Sequence, residues 1–170
     1  MSSPGHISPV PIAAFKSIDA GKLITAEEIQ AIVGEPLKPP ITSVRAESGF
    51  IVSQCYFLVT TPSNSVVLSV TQRGTGSEAR DPRDFWNEKF HDQSKDKRPE
   101  QEEHKQNDPE PISGVGDEAY WVASGSNGAL YILDGDRFLR VAIGGGDDKT
   151  PRIEKAKRLA QFASKRLPRG

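Results

Sequence analysis

AYWVASGSNGALYILDGDRFLRVAI, residues 119–143, carries three apolar runs separated by Ser-Gly-Ser-Asn-Gly and Asp-Gly-Asp. Apolar, aromatic and β-branched runs of this length, broken by turn-forming residues, predict a three-stranded antiparallel meander. The second turn closes with either Asp134-Gly135 or Gly135-Asp136 at its centre. Both registers place Leu130 and Ile132 on one face with Leu139 and Val141, because side chains alternate along a strand. That aliphatic face is the expected core. The opposite face gathers Tyr131, Leu133, Phe138 and Arg140, which is amphipathic and aromatic. Either a helix or the Pro-rich connection covers it, or it is a surface that binds something.

Working outward, Thr25 and Glu28 have the spacing of a capping box, and Ile24 and Ile29 that of a hydrophobic staple across it. Ile29, Ile32 and Val33 fall on one helical face, and Gly34 followed by Pro36 supplies the stop. Thr25 to Val33 is therefore a short amphipathic helix. After a Pro-containing connection, Phe50 to Thr60 and Val66 to Gln72 are strand-like and joined by a longer loop. Asp81-Pro82 reads as an N-cap with Pro at the first helical position, and Phe85, Trp86, Lys89 and Phe90 form a helical stripe ending near His91. Thr150-Pro151 caps a last helix in which Ile153, Ala156, Ala160, Ala163 and Leu167 recur at three- and four-residue spacing.

Residues 1–18, rich at their start in Ser, Pro and Gly, read as a flexible arm ahead of a single domain over 19–170. Within that domain the segment 95–111, KDKRPEQEEHKQNDPEP, contains no apolar residue and reads as a charged linker or flap. The fold class expected is α+β, a largely antiparallel sheet of about five strands with helices mainly on one face.

Composition narrows the functional classes. The 170 residues carry 22 Lys plus Arg against 23 Asp plus Glu, a balance without the basic excess that draws a protein to nucleic acid. No apolar stretch reaches the length of a membrane-spanning helix, and Met1 to Phe15 lacks the basic start and apolar run of a signal peptide. Cys55 is the one cysteine, so no internal disulfide forms, and in a strand it reads as a small core residue. It has no nearby His to activate it as a nucleophile.

No residue pattern nominates a catalytic site, a metal or a cofactor. Gly144-Gly145-Gly146 precedes a helix, but Asp147 and Asp148 follow, which repel phosphate, and no Gly-Lys-Ser/Thr is present. His6, His91 and His104 lack zinc-ligand spacing. Asp117 and Glu118 are adjacent on a strand and so point to opposite faces, a poor arrangement for shared acid–base work. The serines lack a Gly-x-Ser-x-Gly elbow.

The stretch Asp19 to Gly34, DAGKLITAEEIQAIVG, followed by QCYFLV and later by GVGDEAYW, a strand-turn-strand and a closing Ala- and Leu-bearing helix, resembles a bacterial family of small exported lipoproteins of unknown function. The resemblance implies an extracytoplasmic, envelope-associated domain, with the N-terminal arm suited to a tether. In that pattern a residue near Gly21 is typically Cys and could pair with one at the position of Cys55; this chain has Gly there. The family carries no catalytic residues to transfer. The functional expectation is a non-enzymatic binding or interaction module that meets a protein, peptide or apolar ligand through Tyr131, Phe138 and Arg140, with Trp121 beside them. The competing expectations are a small hydrolase or transferase whose polar groups converge only in three dimensions, and a structural envelope component.

Overall fold

A computed structural model describes residues 17–91, 109–124, 127–145 and 148–168. Helix α1 (Ala26–Val33) is followed by β1 (Ile41–Glu47), β2 (Phe50–Phe57) and β3 (Val66–Arg73), then α2 (Pro82–Phe90). After it come β4 (Glu110–Pro111), β5 (Glu118–Ser124), β6 (Asn127–Asp134), β7 (Arg137–Ile143) and α3 (Lys149–Arg166). All seven strands join one antiparallel sheet in the order β1-β2-β3-β7-β6-β5-β4. The α+β class and the antiparallel pairing are as expected; among the described residues the sheet has seven strands where about five were expected.

Both additional strands lie at the edges. Strand β1 is exposed at every position but the half-buried Val44, so it has none of the apolar alternation by which strands are recognised. Its place is set by the hairpin to β2: Glu47 pairs with Phe50, leaving Ser48 and Gly49 between them with φ of 52° and 88°. Two positive-φ residues make the turn whose twist matches antiparallel strands. Strand β4 consists of two residues at the end of the segment read as a charged linker. They are held by backbone pairing to Tyr120 and Trp121, which composition does not register. Most of that linker, residues 95–108, lies outside the described residues, as do residues 92–94 before it and the arm over 1–16. The arm ends earlier than residue 18, since Ile18 is buried in the core and its amide donates to Gln72 Oε1 at 2.7 Å.

The meander is present in the predicted phase. Asp134 pairs with Arg137, so Gly135-Asp136 forms the centre of the turn, with Gly135 at φ 67°. Leu130, Ile132, Leu139 and Val141 are buried on one face with Leu68 and Val70 of β3, and the buried stripes of α1 and α3 share that core. Ile153, Ala156, Ala160, Ala163 and Leu167 are all buried, as their spacing requires. The start of α3 differs from expectation. Asp148 rather than Thr150 is the N-cap, and Pro151 falls inside the first turn, where its missing N–H has no intrahelical partner to lose.

Capping holds α1 in place. Thr25 Oγ1 accepts from the Glu28 amide at 3.1 Å, Glu28 Oε1 accepts from the Thr25 amide at 2.9 Å, and Gly34 ends the helix at φ 85°. Arg166, at the end of α3, donates to the Glu28 carboxylate and to the Leu23 carbonyl, clamping the two helices together. The Arg166 guanidinium is the main reason the Glu28 carboxyl lies below the ordinary carboxylate range, against an opposing effect of burial. A carboxyl with a lowered folded-state pKa adds stability above its unfolded pKa and loses it as pH falls through the folded one. Glu28→Gln is therefore expected to cost up to about 1 kcal/mol at neutral pH. Denaturant midpoints taken at falling pH, from about pH 5 downward, should converge for the two proteins as Glu28 protonates.

Candidate functional site

The face opposite the main core divides into three rows of side chains that run across the sheet. Val52, Thr71, Phe138 and Leu133 form the first row through successive strand pairings. Helix α2 covers it. Its cap is as the sequence predicts, with Asp81 Oδ1 accepting from the Arg83 amide at 2.9 Å and Pro82 at the first helical position. The stripe then lays Trp86 between Leu133 and Phe138, with Phe85 stacked on Phe138 at 5.4 Å and Phe90 on Tyr120 at 4.6 Å. Such ring pairs add to the area they bury.

The second row, Gln54, Ser69, Arg140 and Tyr131, is polar and partly open. The third, Tyr56, Val67, Ala142, Ala129 and Val122, is apolar and mostly small. The third row, with Arg140 and Tyr131 of the second, floors a half-open cavity of about 780 Å3. Its rim is the 3-10 turn Pro62–Asn64 in the β2–β3 connection. Glu35 braces that turn from behind, accepting from Asn64 Nδ2 at 2.6 Å and from the Thr61 amide at 2.8 Å. These hydrogen bonds, the one from Asn64 foremost, hold its carboxyl below the ordinary range. Gly144 completes the rim because a Cβ there would lie 2.1 Å from the Ser63 carbonyl oxygen. The first two glycines of the Gly144-Gly145-Gly146 run thus serve close packing of the β7 end against the rim, and Gly146 lies outside the described residues.

The electrostatics of the cavity are one-sided. Arg140 Nε donates to Tyr131 Oη at 3.1 Å, and the guanidinium carbon is 5.7 Å from the Tyr131 ring centre. Lys89 of α2 places its Nζ 5.0 Å from the same ring. Cations over an aromatic face are attracted by its quadrupole, a weaker hold than a carboxylate provides. Among the described residues no Asp or Glu lines the cavity, and neither Arg140 nor Lys89 has an ion-pair partner.

Of the four residues singled out in the sequence, Tyr131 and Arg140 lie together in this cavity. Trp121 does not join them. It is 2% exposed on the core face, its indole over Gly128, where a Cβ would lie 2.2 Å from Cζ2. Strand alternation accounts for this: Trp121 pairs with Leu130, a core position, and shares its face. Gly128→Val is expected to destabilise by about 1–3 kcal/mol, read as a lowered urea midpoint, because the indole must leave its place. Phe138 is 7% exposed beneath α2 and borders a second cavity, of about 330 Å3, with Phe50, Val52 and Arg80. Tyr56, 41% exposed, and the floor alanines Ala129 and Ala142 escaped the sequence reading, since their role depends on which strands lie side by side.

One titratable cluster converges elsewhere. His91 Nε2 lies 2.8 Å from Glu118 Oε1, and Tyr120 Oη donates to the same oxygen at 3.2 Å. Burial, aided by the Glu118 charge, pushes the Tyr120 hydroxyl up and keeps it protonated as a donor. The cluster is exposed at His91 and Glu118 and lines neither cavity. Asp117, the neighbour of Glu118, accepts instead from the Gly135 amide at 2.8 Å and so secures the β6–β7 turn. Among the described residues no group of His, Cys, Asp or Glu is arranged to hold a metal ion. Cys55 is fully buried, and desolvation, with a smaller contribution from Asp19, pushes its thiol up to about 11. No helix of the described residues is long and apolar enough to cross a membrane. No family model, no curated protein and no solved structure matches this chain.

Proposed function

We propose that this chain is a non-enzymatic binding module whose site is the half-open cavity around Tyr131 and Arg140. The observation that carries this reading is a concavity of ligand size on the sheet face opposite the main core, apolar along most of its floor and with a few polar groups on one side. The His91–Glu118–Tyr120 cluster meets one requirement of a hydrolase, titratable groups within hydrogen-bond reach, but among the described residues it lines neither of the two cavities above. A binding role therefore fits the geometry better than catalysis or a purely structural one.

Thermal shift and native mass spectrometry on the purified protein, against metals, nucleotides, lipids, glycans and peptides, test this reading. The expected result is a stabilising compound whose effect is lost in Ala142→Leu, which fills the floor. A stabilisation that survives Ala142→Leu places the ligand elsewhere and rejects the site. Silence across the panel rejects a small-molecule site and leaves a protein partner, to be sought by pull-down. The resemblance to exported lipoproteins supports an envelope-associated location for the module. Fractionation of the source cells tests that, and recovery in the cytosol would remove it.

A further inference from the structure

We infer that the ligand of this cavity is a small anionic amphiphile, a carboxylate with an apolar body, held with its charge at Arg140 and its body along the floor of Val67, Ala142 and Ala129; this rests on the binding-module reading above. Three features converge on that chemistry. Arg140 commits Nε to Tyr131 Oη, and neither of its terminal nitrogens is engaged by a carboxylate of the described chain. A guanidinium offers a planar fork of donors that matches a carboxylate, so a head group placed there gains charge-assisted hydrogen bonds without displacing an internal partner. The Lys89 ammonium beside the same tyrosine adds a second positive charge, and among the described residues no acid lines the cavity to oppose an anion.

The floor specifies the rest of the ligand. The row from Tyr56 to Val122 crosses five strands, about 19 Å at the usual interstrand spacing, and its central members are Val67, Ala142 and Ala129. Small side chains leave the space, and the bulkier Tyr56 and the Pro62–Asn64 turn wall it at one end. The polar row lies about 7 Å away along the strands, two residues on. A carboxylate over Arg140 is thus directly followed by methylene groups over Ala142 and Ala129. A purely apolar ligand would leave the guanidinium desolvated and unpaired, and a cationic one would meet Arg140 and Lys89 with like charge.

Titrations of the 15N-labelled protein with octanoate, octanol and octyltrimethylammonium, each below its micelle-forming concentration, decide the matter. Octanoate is expected to shift the amides of Val67, Ala129 and Ala142 and to bind at least about ten-fold more tightly than the other two. Arg140→Gln should weaken octanoate by about ten-fold or more while leaving octanol unchanged, and Arg140→Lys should recover part of the loss. Should Arg140→Gln fail to fold, Ala142→Leu gives an independent check by occluding the floor with the guanidinium intact. Equal binding of octanol and octanoate at these amides overturns the anionic specificity yet leaves the binding module standing. Absence of shifts at these amides with all three probes rejects the amphiphile, and the ligand panel then decides the module separately.

Discussion

Leu139→Ala is expected to lower the free energy of unfolding by about 2–5 kcal/mol, the range for emptying a well-packed aliphatic site. Leu139 is fully buried, paired on one side with Val70 of β3 and on the other with Ile132 of β6, and all three belong to the core that α3 covers. Strand pairs flanking the site on both sides limit how far the sheet can collapse into the space, which favours the upper part of that range. A urea series reads the effect directly as a fall in midpoint at unchanged slope. An unchanged midpoint would mean that Leu139 does not face the core, and the register of the whole meander would have to shift by one residue.

Gly21→Cys is expected to form a disulfide with Cys55 under oxidising conditions and to stabilise the oxidised protein by about 3–4 kcal/mol through the loop it closes in the unfolded chain. The resemblance to exported lipoproteins implies a cysteine near Gly21 that could pair with one at the position of Cys55, and the geometry of this chain is compatible with such a pair. A Cβ built on Gly21 lies 3.4 Å from Cys55 Sγ, and its backbone is not in the left-handed region that excludes other residues. The obstacles are Thr42 Cγ2, 2.8 Å from the same Cβ on the exposed edge strand, and Asp19 Oδ1 at 3.2 Å. Thiol titration with and without reductant, followed by thermal unfolding of both forms, measures the bond and its contribution. Two free thiols after oxidation would count against the resemblance, since its one long-range covalent feature would then find no counterpart in this fold. In the wild type, burial and the raised pKa of Cys55 predict that iodoacetamide labels it only after unfolding.

Most local signals in the sequence reappear in the structure, the start of α3 at Asp148 instead of Thr150 being an exception. The capping box at Thr25, the Asp81-Pro82 helix start and the phase of the meander each depend on residues within a few positions of one another, and the structure keeps them all. The edge strand β1 was missed because it buries almost nothing and so carries no hydrophobic period; the Ser48-Gly49 pair that turns the chain into β2 was its one available signal. Strand β4 had none, since two residues held by main-chain pairing leave no mark on side-chain composition.

The site divides along the same line. Alternation alone put Tyr131, Phe138 and Arg140 on the face away from the core, and that holds by the geometry of a strand. Which of them remains accessible was decided by where α2 lies: its Trp86 and Phe85 cover Phe138 and stop short of Arg140. The placement of β3 beside β7, a non-local pairing between residues 66–71 and 138–143, brought Val67 next to Ala142, with Tyr56 one strand further on, and built the cavity floor. The sequence by itself determined the class of fold, the core face and two of the cavity's residues, because short-range periodicity and capping encode them. The cavity exists only in the tertiary structure, because it is made by strands distant in the chain and by a helix that covers one part of the face and leaves the other open.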